Sequence, residues 1–84
     1  MRADTLAEKV IAISQMPAGA RGVVQALQGG HQFSSRLASL GFTTGVIIEV
    51  RQNYGAGPVL VSLRGALIAL GRAEAGKVLV QAGA

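Results

Sequence analysis

Alternation of apolar and polar residues in the second half of the chain is the feature that most constrains its fold. Apolar residues recur at every second position in residues 46–51 and 59–64, and Val78 and Val80 repeat the pattern near the C-terminus. In residues 66–70, which are all apolar, Ala66, Ile68 and Leu70 alternate with Leu67 and Ala69. A period of two is typical of a β-strand with one buried face. Turn-forming residues, among them a glycine-rich segment at 53–58, separate these runs. This half of the chain therefore predicts four strands joined by short connections.

The first half of the chain adds one strand and one helix. Residues 22–27 predict a strand, and residues 10–13 fit either a short strand or the end of a helix. Phe33, Leu37 and Leu40 are spaced i, i+4 and i+7, which places them on one helical face. Gly41 follows where a left-handed cap would end this helix.

A chain of 84 residues has room for a single domain. We assign residues 1–9 to an N-terminal lead-in and residues 10–84 to the domain. The predicted fold class is mainly β: a small, partly closed barrel of about five strands, with one short α-helix after the first main strand. The predicted core combines apolar residues of the helix and of the alternating strands: Leu37, Leu40, Val46, Ile48, Val50, Val61, Ile68 and Val80.

Apolar residues also occur on the strand faces opposite this predicted core. Ile47, Leu60 and Leu67 hold such positions. The charged fraction is 14%, whereas an average soluble domain has about 25%. An uncovered apolar patch usually marks a contact site. The composition therefore favours binding to a partner or to a second copy of the chain.

Two further groups of residues are candidates for partner binding. Ser35, Arg36 and Ser39 fall on the helix face opposite Leu37. Tyr54 lies in the glycine-rich loop, and tyrosine is a common interface anchor because it combines apolar area with a hydroxyl. We predict that these four polar residues contribute to a binding surface.

Groups suited to catalysis are scarce. The chain has one histidine, His31, and four carboxylates, none of which occurs at a spacing that suggests a catalytic pair. Residues 55–57 (GAG) resemble the start of a dinucleotide-binding loop, but Pro58 and a predicted strand follow where that loop requires a helix. We therefore predict no enzymatic activity and no bound cofactor.

The chain is also poorly equipped to bind a transition metal alone. It has no cysteine and one imidazole, whereas a structural zinc site uses four strong ligands. We predict no intrinsic metal site. The remaining alternative is an intermolecular site in which His31 is joined by Glu49 or Glu74 of a neighbouring chain. Such a site would produce a metal-bridged homodimer.

The formal charge of +4 and the isoelectric point near 10.8 raise a nucleic-acid alternative. The arginines are scattered along the chain and only three residues are aromatic. Proteins that bind single strands usually stack bases on aromatic side chains. A small basic barrel that binds nucleic acid is therefore the second hypothesis, behind protein binding.

No segment of the sequence is suited to entering a membrane. The longest strongly apolar run near the N-terminus is residues 10–13. A signal peptide needs about 7–15 apolar residues and a spanning helix needs about 20. We therefore expect a cytoplasmic protein that reaches a membrane only through a partner.

The order and spacing of short motifs resemble the family of ferrous iron transport protein A (FeoA), whose members have an SH3-like fold. The resemblance covers Pro17 to Val80. The matching segments are residues 17–24 (PAGARGVV), 36–45 (RLASLGFTTG), 57–58 (GP), 64–65 (RG), 68–72 (IALGR), Ala75 and 78–80 (VLV). Thr44 stands where the family usually has proline. Ser34 and Ser35 precede Arg36 where the family often has basic residues.

This resemblance implies a function through a partner. Members of the family are cytoplasmic accessories of the ferrous iron transporter FeoB, a membrane protein with a G-protein domain. The resemblance implies that this chain binds the cytoplasmic part of FeoB and promotes or regulates transport. The domain that ends iron-dependent repressors is a related fold, but nothing before Val10 has the length of a DNA-reading helix pair.

Overall fold

A computed structural model describes residues 9–83 of the chain. Apart from Lys9, the predicted lead-in lies outside the described residues. The elements in chain order are β1 (Val10–Ala12), a 3-10 helix (Ile13–Gln15), β2 (Arg21–Leu27), α1 (His31–Ser39), β3 (Ile47–Gln52), β4 (Val59–Leu63), β5 (Ala66–Leu70), α2 (Arg72–Ala75) and β6 (Val78–Ala82).

The six strands of this region form one antiparallel sheet in the order β1-β6-β2-β3-β4-β5. The prediction of a mainly β, partly closed fold with one short helix after the first main strand is confirmed. The structure adds a sixth strand, since Val10–Ala12 forms β1 and pairs with β6. It also places a helical turn, α2, in the connection between β5 and β6, where the sequence analysis predicts no helix.

The core lies on one side of the curved sheet and is closed by side chains from the helices and loops. Its buried apolar residues are Ile13, Met16, Val24, Leu37, Phe42, Val46, Ile48, Val50, Val59, Val61, Leu63, Leu70, Ala75, Val78 and Val80. Six of the eight predicted core residues are among them. The alternating pattern of β3 and β4 is therefore a correct guide to which face is buried.

Two predicted core residues are wrong or only partly right. Leu40 is 45% exposed, and Ile68 on the edge strand β5 is only partly buried. Leu40 turns outward because α1 ends there: Gly41 has φ +107°, its N–H donates to Ala38 O, and Phe42 N–H donates to Leu37 O. This is a Schellman cap, as Gly41 predicts, and it brings Phe42 into the core in place of Leu40. No helix within residues 9–83 is long and apolar enough to cross a membrane.

Candidate interaction surface

Arg36 of α1 and Glu74 of α2 form an ion pair at the surface. The two residues are 38 positions apart in sequence, so the contact links α1 to the segment that leads into β6. Glu74 also accepts a hydrogen bond from Gly71 N–H at 3.2 Å, which caps the first turn of α2. Arg36, predicted to contact a partner, is therefore already engaged within the fold.

Phe33 lies half-buried beneath two cations. The Arg36 guanidinium carbon is 5.9 Å from the centre of the Phe33 ring, and Lys77 Nζ is 5.6 Å from it. Both distances are within the range of a cation–π interaction. These contacts join four residues, Phe33 and Arg36 of α1 with Glu74 and Lys77 of the segment beside it. We call this cluster the helix seam.

Glu74 gives this seam a pH dependence. The hydrogen bond from Arg36 and that from the Gly71 backbone hold the pKa of Glu74 below its ordinary value of 4.5. Because the folded pKa is lower than the unfolded one, ionised Glu74 stabilises the fold above pH about 4.5. That stabilisation is lost as the pH falls through the folded pKa.

We expect Glu74→Gln to lower the free energy of unfolding by about 0.5 kcal/mol at pH 7, the range of an exposed ion pair. Glutamine keeps a side-chain oxygen for the Gly71 N–H, so the charge is the main loss. Urea unfolding of both proteins at pH 7 and pH 3 measures the effect. The parent and the variant should differ at pH 7, and the difference should narrow toward pH 3 as Glu74 becomes protonated. A difference that is equal at both pH values would contradict the ion-pair assignment.

Tyr54 projects from the loop between β3 and β4 and is 81% exposed. The neighbouring Asn53 is partly buried and anchors this loop. Its Nδ2 donates to Ser14 O at 3.0 Å and to Met16 O at 2.8 Å, and its Oδ1 accepts from Gly55 N–H at 3.0 Å. The exposed aromatic ring is thus carried by a loop whose base is fixed to the 3-10 helix segment.

Arg72 completes the same anchor from the other side. Its guanidinium donates to Asn53 Oδ1, to Gly57 O at 3.2 Å and to Ser14 O at 3.2 Å. One arginine therefore links α2, the Tyr54 loop and the 3-10 helix. Neither Asn53 nor Arg72 is among the predicted site residues. Their position in a loop and a bend gives no indication of long-range contacts.

The structure places the remaining predicted site residues separately. Ser39 Oγ donates to Arg36 O within α1 at 2.7 Å, and Ser35 Oγ lies 3.5 Å from His31 Nε2. Ser35, Arg36 and Ser39 share α1, whereas Tyr54 lies on a different loop. Within residues 9–83, no group of three His, Cys, Asp or Glu side chains could hold a metal ion. His31, Glu49 and Glu74 of one chain thus form no site, and their intermolecular arrangement stays a prediction.

The outer face of the sheet carries the predicted apolar patch. Ile47 is 54% exposed and Leu67 is 61% exposed, while Leu60 is half-buried. Arg21, Arg51 and Arg64 are exposed beside them. Aliphatic side chains and cations therefore share this face of β3, β4 and β5.

These features define a class of protein: a small SH3-like β domain with an anchored aromatic loop and an uncovered sheet face. The FeoA domain family model matches residues 11–82. The chain belongs to the FeoA domain family, as its motifs predict.

Solved structures agree with this assignment. The chain is 35% identical to an iron uptake regulatory protein, FeoA, over 89% of this chain and 100% of that one, with a TM-score of 0.85. It is 27% identical to Stenotrophomonas maltophilia FeoA in complex with zinc, over 87% of this chain and 95% of that one, with a TM-score of 0.76. That protein is described as a prokaryotic SH3 domain protein and a candidate ferrous iron transport activating factor.

A manganese-dependent transcriptional repressor shares the fold. The TM-score is 0.82 at 20% identity, over 90% of this chain and 43% of the repressor. This likeness concerns the fold alone. A comparison with curated protein sequences finds no significant match.

Proposed function

We propose that this protein is a cytoplasmic accessory of ferrous iron uptake, which binds the cytoplasmic G-protein part of the transporter FeoB and promotes or regulates transport. It acts by binding, without catalysis and without a cofactor of its own. The observation that carries the proposal is the match of residues 11–82 to the FeoA domain family. The similarity to an iron uptake regulatory protein along that protein's whole length supports it.

The anchored loop supports a binding role. An exposed tyrosine loses less conformational freedom on binding when its loop is already fixed. Tyr54 satisfies this condition through Asn53 and Arg72. By contrast, Arg36 is engaged with Glu74 and the Ser39 hydroxyl with the α1 backbone. Tyr54 is therefore the strongest of the four predicted partner-binding residues.

Isothermal titration of the chain into the purified cytoplasmic part of the cognate transporter tests the proposal. We expect saturable binding when the two proteins are mixed at concentrations of up to hundreds of micromolar. Deleting the gene should also lower ferrous iron uptake by the host cell. The absence of binding at that concentration, with both proteins folded, would count decisively against the proposal.

Tyr54→Ala is expected to weaken this binding by about 1–2 kcal/mol, roughly fivefold to thirtyfold. Tyr54→Phe is the matched control, because it keeps the ring and removes only the hydroxyl. Both variants should unfold in urea at the midpoint of the parent, since the side chain is 81% exposed. Unchanged affinity in Tyr54→Ala would exclude the Tyr54 loop from the interface.

A further inference from the structure

β5 forms one edge of the sheet, and within residues 9–83 it pairs only with β4. Its sequence, Ala66–Leu70, contains no charge and no proline. Proteins usually protect an edge strand with charges, prolines or bulges, because an open edge pairs readily with another strand. This edge lacks those protections and is therefore suited to strand addition.

The turn before β5 determines which of its backbone groups are free. Arg64 and Gly65 have φ of +50° and +82° and form a two-residue turn between Leu63 and Ala66, which oppose each other in register. Such a turn makes Leu63 and Ala66 a hydrogen-bonded pair, and hydrogen-bonded pairs then alternate along the ladder. The N–H and C=O groups of Leu67 and Ala69 consequently point away from β4, toward the open edge.

Two shallow depressions lie on the outer face of the sheet, and the first of them lies beside this edge. One has a volume of about 290 Å³ and is lined by Arg51, Leu60, Ser62, Leu67 and their neighbours. The other has a volume of about 300 Å³ and lies farther across the sheet, between Arg21, Ile47 and Arg64. Apolar side chains of an added segment could therefore pack on this face next to the new strand.

The charge of these depressions specifies the occupant. Their lining includes three arginines, Arg21, Arg51 and Arg64, and one carboxylate, Glu49. Positive potential attracts a segment that carries carboxylates. Both apolar and cationic side chains line this face. A segment that complements it therefore carries both aliphatic and acidic residues.

Arg64 is an unusual residue for its position. The left-handed conformation at φ +50° suits Gly, Asn or Asp at this place in a hairpin turn and is unfavourable for arginine. The arginine therefore works against the stability of the turn. A residue kept in an unfavourable conformation supports a functional role for its side chain.

A second copy of the chain is a poorer occupant of the edge. Antiparallel pairing of two β5 strands about Ile68 would bring the Arg64–Gly65 turn of each copy toward Arg72 of the other, just beyond the ends of the paired strands. Like charges brought close together repel each other. Arg72 is also held by Asn53, Gly57 and Ser14 and is not free to turn away.

We propose that the open edge of β5 binds an extended acidic and aliphatic segment of the partner by strand addition, with Arg64 and Arg51 contacting its carboxylates. This inference rests on the proposed function, because the segment belongs to the cytoplasmic part of the transporter. It adds the surface, the geometry and the chemistry of the contact.

Two matched pairs of variants test the inference by titration with the cytoplasmic part of the transporter. Ala69→Pro removes an outward N–H, and proline is tolerated on the open side of an edge strand; Ala69→Ser keeps the N–H. We expect at least tenfold weaker binding for Ala69→Pro and a change of less than about twofold for Ala69→Ser. Arg64→Asn should weaken binding about threefold to tenfold while raising the urea midpoint of unfolding, and Arg64→Lys should keep the parental affinity.

Each outcome decides the inference. Parental affinity in both Ala69→Pro and Arg64→Asn would overturn it and leave the proposed function intact, whereas no binding by the parent protein would overturn both. If Ala69→Pro does not fold, amide hydrogen exchange of the parent decides, because the Leu67 and Ala69 amides should become protected only in the complex. Tighter binding of a mixed-sequence oligonucleotide at this face, weakened in Arg64→Asn, would overturn the inference in favour of nucleic acid.

Discussion

Replacing Phe42 with alanine is expected to lower the free energy of unfolding by about 3–5 kcal/mol. Phe42 is completely buried and is the largest of the fully buried side chains within residues 9–83. It also lies directly after the cap of α1, where its N–H bonds to Leu37 O. A domain of this size has a total stability of roughly 4–13 kcal/mol. Urea unfolding followed by circular dichroism should therefore show a large fall in the midpoint.

Leu40→Ala is the matched control for this prediction. The helical spacing predicts Leu40 in the core, yet it is 45% exposed. Its truncation should change the free energy of unfolding by less than about 1 kcal/mol. If Leu40→Ala destabilises the protein as much as Phe42→Ala does, the assignment of Phe42 to the core is wrong.

The strands could be predicted because their signal is local and repeated. β3 and β4 alternate between buried and more exposed residues along their length and end at a loop or a turn. β5 is apolar at all five positions and is bounded by Gly65 and Gly71. Gly41 likewise marks the end of α1, where a positive φ is needed. The alternation also identifies the buried face, since Ile48 and Val50 are in the core while Ile47 is exposed.

The exchange of Leu40 for Phe42 could not be predicted from periodicity. The spacing of Phe33, Leu37 and Leu40 assumes that the helix continues through Leu40. The chain leaves the helix at this point, so the i+7 position no longer lies on the buried face. Similarly, the short β1 and the single turn of α2 are formed by tertiary contacts, which local propensity does not specify.

For the candidate surface, the sequence indicates which side chains are exposed but not which residues they contact. The sequence predicts Tyr54 and Arg36 at the surface, and both side chains are exposed. The contact of Arg36 with Glu74 and that of Arg72 with Asn53 join residues far apart in the chain. Single positions in loops carry no periodic signal for such contacts. Arg72 matches a family motif, but the motif does not say what the guanidinium binds.

Asn53→Ala is expected to lower the free energy of unfolding by about 2–4 kcal/mol, since it removes four hydrogen bonds worth about 1 kcal/mol each. Two are donated to Ser14 O and Met16 O, and two are accepted from Gly55 N–H and Arg72. The loop that carries Tyr54 would lose its anchor. Partner binding should therefore weaken together with stability. Urea unfolding and titration of the same variant measure both effects.

The Asn53→Asp variant tests whether the hydrogen bonds donated by the Asn53 side-chain nitrogen are needed to anchor the loop, in addition to those accepted by its oxygen. Its size is unchanged, and one oxygen still accepts from Gly55 and Arg72. The other oxygen replaces an N–H₂ group that faces Ser14 O and Met16 O at 3.0 and 2.8 Å. A carboxylate cannot donate to these carbonyls and repels them. We therefore expect a loss of at least about 2 kcal/mol at pH 7, despite the added charge beside Arg72. If this variant is as stable as the parent, the hydrogen bonds accepted from Gly55 and Arg72 suffice to anchor the loop, and the two donated bonds have no measurable effect.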